Sequence, residues 1–250
     1  MTGLKGLIVG IANEHSIAWG CAKVLHEAGA ELAITYQNEK AKPYVQPLAE
    51  RISAPIFMPL DVTNLEQFDQ LFQTIKSTWG RLDFVIHSIA FAPKSDLQGR
   101  VVDCSREGFG MAMDISCHSL IRLANAAEPL MSSGGTIITM SYYGADKVVQ
   151  NYNLMGPVKA ALEASVRYLA MELGSKNIRV NALSPGPVKT RAASGLTGFD
   201  ELMIKATNAA PLNRLVTIKE VGDAASFLIH QATSITGQIL YLDGGYNIKD

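Results

Sequence analysis

Short apolar runs alternate with amphipathic stretches along the whole 250-residue chain. "LIVG" at 7–10 reads as a buried strand, and "SIAWGCAKVLHEAG" at 16–29 as a helix closed by Gly29. Strand "ELAITY" at 31–36, a helix at 40–51 and strand "PIFMPLDV" at 55–62 follow. Across 64–80, Leu65, Phe68, Leu71, Phe72 and Ile75 recur at helical spacing. Next come strand "LDFVIHSIA" at 82–90, one long helix over 106–131 and strand "GTIITMS" at 135–141. Residues 159–174 lie in a helix ended by Gly174, and "IRVNALSPG" at 178–186 is a strand. A helix at 218–230 and strand "QILYLDGG" at 238–245 complete the pattern.

Apolar strands that alternate with helices predict a mainly parallel sheet covered on both faces. With right-handed crossovers this is a seven-stranded, doubly wound α/β fold. No linker, repeat or low-complexity segment divides 1–250, so a single domain is expected. Ligands of such sheets bind at the C-terminal ends of the strands. The irregular stretch 184–217, rich in Gly, Pro, Ser and Thr, follows a strand and belongs to that edge. Within it, 188–210 has the glycines and small residues of a mobile substrate lid.

Hydrophobic residues are 48% of the chain, enough for a sizeable core, and the formal net charge is −1. That balance argues against a nucleic-acid partner. Cys21, Cys104 and Cys117 are far apart, which suits no disulfide framework and no zinc site and fits a reducing cytoplasm. No metal is expected. The opening "MTGLKGLIVGIANEHSIAWG" is too briefly apolar for a membrane span and lacks a signal-peptide pattern.

Candidate chemistry begins after the first strand, in "GIANEHSIAWG". Gly10 permits a tight turn and close approach of a ligand. Ser16 can cap the next helix, and its hydroxyl and neighbouring N–H groups suit a phosphate. Glu14 would have to face solvent, because a carboxylate repels pyrophosphate. The second strand ends beside Gln37, a neutral group for ribose hydroxyls; Asp61 and Val62 follow the third strand, positioned for adenine. Ser88 stands at the end of the fourth strand, among small residues against which a dinucleotide can lie. Each has a plainer reading, Asp61 as a turn cap and Ser88 as a local hydrogen bonder. Their coincidence at successive strand ends favours a dinucleotide.

Two tyrosine–lysine pairs compete in "SYYGADKVVQNYNLMGPVKAAL". Tyr143 and Lys147 have the YxxxK spacing of short-chain dehydrogenases, but Gly144, Val148 and Val149 make that segment poor helix material. Tyr152 and Lys159 are seven positions apart, about 20° around a helix and about 10 Å along it. Pro157 suits a first helical turn, which would leave Tyr152 just before the helix, held by a loop. The plainer alternative is a packed aromatic and a surface lysine.

At these residues the chain resembles the bacterial enoyl-acyl-carrier-protein reductases of the short-chain dehydrogenase superfamily, Rossmann-type enzymes. The matching stretches include "GIANEHSIAWG", "HSIAFAP", "MDIS", "SYYGA", "NYNLMGPVKAALEASVRYLA", "IRVNALSPGPVKT" and "LYLDGG", and span nearly the whole chain. The resemblance implies reduction of trans-2-enoyl thioesters on acyl carrier protein by NADH, in a cytoplasmic homotetramer. It implies that Tyr152 meets the thioester carbonyl, that Lys159 holds the nicotinamide ribose and that Tyr142 lines the acyl pocket as a second active-site tyrosine. It places Gly10, Ser16, Ile17, Gln37, Asp61, Val62, Ser88, Ile89, Val188, Lys189, Thr190, Arg191 and Ala192 against NADH, and Ala92 against the substrate. Lys159 would then also lower the phenol pKa through its field. The rival classes are a ketone reductase, which needs YxxxK on the helix, and a binding-only dinucleotide protein.

Overall fold

In the computed structural model, which describes residues 1–190 and 198–248, seven strands form one sheet. They are β1 (Lys5–Val9), β2 (Glu31–Tyr36), β3 (Ile56–Pro59), β4 (Phe84–His87), β5 (Gly135–Met140), β6 (Ile178–Pro185) and β7 (Ile239–Leu242). Their order is β3-β2-β1-β4-β5-β6-β7, and every neighbouring pair is parallel. Each connection must therefore cross over a face of the sheet, and helices cover both. The order reverses between β1 and β4, which opens a crevice at their C-terminal ends.

The helices are α1 (Ile17–Glu27), α2 (Lys42–Arg51), α3 (Leu65–Trp79), α4 (Lys94–Leu97), α5 (Arg106–Met113), α6 (Ser119–Ala127), α7 (Met155–Leu173), α8 (Phe199–Ala209) and α9 (Ile218–His230). Strand residues alternate between two cores with period two. Leu7, Val85, Ile137 and Val180 pack with Leu71, Leu123 and Val166 beneath α3, α6 and α7. Ile8, Ile34, Ile86 and Ile138 pack with Leu25, Leu48 and Leu228 beneath α1, α2 and α9. Such strands are buried on both faces, which is why they read as continuous apolar runs.

Two expectations need correction. The third strand ends at Pro59, short of Val62: proline has no N–H to extend the ladder, and the turn at Asp61 follows. The single helix over 106–131 is broken into α5, a π turn at Asp114–His118, α6 and a last 3-10 turn at Glu128–Leu130. The break coincides with a tertiary contact. Ser116 Oγ accepts from the Phe91 N–H at 2.9 Å and donates to the Phe91 carbonyl at 3.0 Å, tying the helix to the segment after β4.

Candidate active site

The loops after β1 and β4 meet across the crevice. Gly10 has φ +111°, and a Cβ there would lie 2.0 Å from the Ser88 carbonyl oxygen. The Ser88 N–H donates to the Val9 carbonyl at 2.9 Å, so the approach is built into the sheet edge. Glycine meets both demands. Ser16 does not cap α1 with its side chain. Its hydroxyl instead accepts from the N–H groups of Ala12 at 3.0 Å and Asn13 at 3.1 Å and curls the glycine loop. The loop's own N–H donors compete successfully for that oxygen. The leading turn of α1 keeps its N–H groups clear of side-chain caps, an anion-attracting end at the cavity wall. Glu14 faces solvent, as the phosphate reading requires.

Tyr152 precedes α7 and is held by the backbone around it. Asn151 and Asn153 both adopt left-handed conformations, with φ 65° and 44°, which asparagine tolerates better than most residues. The Asn153 side chain donates to the Leu97 carbonyl at 3.0 Å. On the other side, a Cβ on Gly144 would come within 2.4 Å of the Tyr152 ring, so the glycine lets the ring seat. Tyr142 and Tyr152 then pack with ring centroids 4.7 Å apart. Lys159, on the first turns of α7, is only 4% exposed, and its ammonium donates to the Met140 carbonyl at 2.6 Å. The Tyr143/Lys147 spacing lies on a 3-10 turn and the following bend, not on α7. Tyr143 packs edge-on against Tyr241 and Tyr246, and exposed Lys147 pairs with Asp146 at 3.7 Å.

A cavity of about 610 Å³ joins these parts. Gly10, Ser16, Ile17, Ser88, Ile89, Ala92, Tyr142, Tyr152, Lys159, Val188 and Thr190 all line it. Gln37, Asp61 and Val62 do not. Gln37 is exposed past β2, Asp61 accepts from the N–H and hydroxyl of Thr63 at 2.9 and 2.7 Å, and Val62 is buried in the core. Lys189 points to solvent, and Arg191 and Ala192 lie outside the described residues. The lid expected over 188–210 falls partly outside them too. Within its described part, α8 places Phe199 and Leu202 on the cavity wall. Sequence reading missed Lys94, Leu97 and Met155 in the lining. Their one signal was adjacency to a strand end or to the tyrosine loop.

The electrostatics separate donor from cation. Burial raises the Tyr152 phenol well above its usual range, and Tyr142 and Glu163 add to the effect. The expected lowering by Lys159 is therefore corrected: in this buried setting desolvation wins, and the phenol remains a proton-bearing donor. Burial likewise raises Tyr142, whose hydroxyl has no partner among the described residues. Burial pulls Lys159 down to about 8, opposed by Cys117 and Glu163. His87 is fully buried and pushed down to about 3, first by burial and then by Lys159. It lies between Thr139 at 2.7 Å and Ser119 at 2.8 Å. Ser119 already donates to the Ile115 carbonyl at 2.6 Å, so His87 Nε2 carries the proton and Nδ1 accepts from Thr139.

These features fit a dinucleotide. A glycine-walled loop meets a helix N-terminus, a buried ammonium has two protons to spare after Met140, and a phenol without a partner among the described residues faces the same space.

The family model for enoyl-(acyl carrier protein) reductase matches residues 10–247. This chain belongs to that family. An enoyl-(acyl-carrier-protein) reductase (NADH) from a Nostoc species is 51% identical over 252 residues, covering 99% of this chain and 98% of the relative. The crystal structure of the Aquifex aeolicus enoyl-(acyl-carrier-protein) reductase (NADH) superposes with a TM-score of 0.96 at 47% identity, covering 99% of this chain and 98% of that one. That of Anaplasma phagocytophilum, solved in complex with NAD, also has a TM-score of 0.96 at 47% identity, covering 100% of this chain and 95% of that one. In this chain the seven-residue step from Tyr152 to Lys159 straddles the start of α7.

Proposed function

We propose that this chain reduces the 2,3 double bond of trans-2-enoyl-acyl-carrier-protein thioesters with NADH, the last step of each fatty-acid elongation cycle. The observation that carries the reading is the convergence of Tyr152, Tyr142 and Lys159 on one cavity that also opens onto the Gly10 loop and the apolar side chains of α8. NADH, when bound, supplies hydride to the β-carbon of the enoyl chain. Lys159 would hold the nicotinamide ribose with the protons that Met140 leaves free. Ser16, Ile17 and the α1 N-terminus would hold the pyrophosphate, and Ser88 and Ile89 would flank the nicotinamide half. The Tyr152 hydroxyl would donate to the thioester oxygen as negative charge builds there, and uptake of a proton at the α-carbon completes the reduction. Tyr142 backs it from 4.7 Å, and Phe199 and Leu202 cover the acyl chain. Incubation of the protein with NADH and a crotonyl thioester tests the activity. Loss of NADH absorbance that depends on the enoyl thioester is the expected result; turnover of ketones instead would overturn it.

Tyr152→Phe is expected to slow thioester reduction about 10-fold or more while NADH affinity stays within about 2-fold, since one transition-state donor is lost. Tyr143→Phe and Lys147→Ala should leave steady-state rates near those of the wild type. Abolition of activity by Lys147→Ala would reassign the pair.

Cofactor choice follows from the end of β2. Gln37, immediately past β2, is neutral and exposed, and the Glu39 carboxylate that follows pairs with Lys42 at 3.5 Å, a setting that disfavours a 2′-phosphate. Lys40 lies in the turn before α2, not at its start, with its N–H on Asn38 Oδ1 at 3.1 Å. A higher kcat/KM with NADH than with NADPH is expected, and Gln37→Arg should narrow the gap.

We further read the enzyme as a cytoplasmic homotetramer. The support is a set of large apolar side chains left uncovered on α5, α6 and α7, namely Phe109, Met111, Ile121, Tyr168 and Met171, and three free thiols. Solution scattering checks it; a monodisperse monomer would refute it.

A further inference from the structure

Beside the lysine lies a carboxylate that the reaction as described does not use. Glu163 sits one turn after Lys159 on α7, half-buried, and its Oε1 accepts from the Ser141 hydroxyl at 2.5 Å. Ser141 is the residue between Met140, whose carbonyl takes the Lys159 ammonium, and Tyr142. Its own N–H donates to the Leu183 carbonyl at 2.7 Å, so it is fixed to β6 as well. Two polar clasps, Lys159 to Met140 and Glu163 to Ser141, thus join the same turn of α7 to the same two residues at the end of β5.

We propose that Glu163 is a positioning residue of this reductase, its carboxylate clamping α7 to the end of β5 through Ser141 and keeping the neighbouring Lys159 charged and aimed at the cofactor ribose. The inference rests on the assignment of Lys159 to the ribose. A carboxylate serves here better than a neutral acceptor for two reasons. Hydrogen bonds to a charged acceptor are about twice as strong as neutral ones. An opposite charge one helical turn away also offsets the desolvation of a buried ammonium.

The surrounding charges agree. Lys159 faces Cys117 on the π turn, His87 on β4 and Glu163 on its own helix, and of these Cys117 and Glu163 favour its charged form. Neutral His87 cannot compensate for the loss of Glu163. Glu163 in turn faces Arg167 and Lys159 on α7, Asp146 on the loop after β5 and Tyr241 on β7. Burial and the Asp146 carboxylate raise its pKa, while the Ser141 bond, Arg167 and Lys159 hold it back.

The test uses the full-length enzyme and separates charge from hydrogen bond. Glu163→Gln keeps an acceptor for Ser141 and removes the charge; Ser141→Ala keeps the charge and removes the clasp. The dissociation constant of NADH is followed by quenching of protein fluorescence from pH 6 to 9, with kcat/KM for NADH over the same range. Lys159 titrates near 8, so wild-type affinity should fall as pH rises through that value. In Glu163→Gln the fall should begin at lower pH, by about half a unit or more. Near pH 8 this reads as a few-fold weaker binding, with melting temperature little changed. Ser141→Ala should leave the alkaline limb in place and lower kcat/KM for NADH about 3-fold or more.

A Glu163→Gln profile that superposes on the wild type would overturn the proposal. So would equal, pH-independent losses in both variants, the signature of a merely structural role. If Glu163→Gln does not fold, Ser141→Ala decides alone, and unaltered kcat/KM there overturns the clamp. Lys159→Ala distinguishes the two levels: unchanged NADH affinity in that variant defeats the ribose assignment itself, whereas weakened affinity with an unmoved Glu163→Gln profile defeats only the role of Glu163.

Discussion

Lys159→Ala is expected to weaken NADH binding about 10- to 100-fold, the range for losing a hydrogen bond to a charged group. The lysine is buried, its ammonium is already oriented by the Met140 carbonyl at 2.6 Å, and no other cation lines the described part of the cavity except Lys94 on α4. The effect should fall on the KM for NADH first, with kcat reduced as well because the cofactor would be less firmly positioned. Lys159→Arg is not a neutral control. The planar guanidinium presents its donors in a fixed fork and cannot place a single proton on Met140 with the ammonium's geometry. Calorimetric titration of NADH into the variant measures the loss, and an affinity within 2-fold of the wild type would refute the assignment.

A larger loss is expected from a single methyl group on the opposite wall. Gly10→Ala puts a Cβ 2.0 Å from the Ser88 carbonyl oxygen at φ +111°, where L side chains are strained. The clash is with backbone, not with a side chain that could rotate aside. The loops after β1 and β4 must separate, and the ligand crevice lies between them. Strain of this kind costs about 1–3 kcal/mol before the overlap is counted, so a drop in stability of about 3 kcal/mol or more is expected. NADH binding should become unmeasurable at ordinary concentrations. Gly110 provides the contrast: a Cβ there meets nothing within 4 Å, and the residue lies inside α5. Gly110→Ala should be neutral or stabilise by up to about 1 kcal/mol. Thermal melting of the two variants side by side checks the pair, and a Gly10→Ala protein as stable as the wild type would sink the account of the crevice.

The sheet was legible from the chain because its strands are buried on both faces. Runs such as Leu7 to Val9 and Val85 to Ile86 must be apolar at every position, and the helices between them must show a 3.6 period, so composition and period together leave few folds. The tyrosine–lysine step was legible for a similar reason. Helical phase is a local property, and Pro157 marks where the helix can begin. Most of the readings that failed turn on which of several partners a group meets in the folded chain. Ser16 could cap α1 or serve its own loop, and the loop N–H groups won. The 106–131 segment has helical periodicity throughout, yet Ser116 found the backbone of Phe91, 25 residues away, and broke it. Whether Lys159 lowers the Tyr152 phenol or burial raises it depends on how much solvent the folded chain removes from each, which no spacing encodes. The Glu163–Ser141 clasp and the seat that Gly144 makes for the Tyr152 ring belong to the same class. Sequence determined the element order and the residues available at each strand end; the tertiary structure decided which of them meet, because hydrogen-bond and desolvation energies are set by neighbours that only folding brings together.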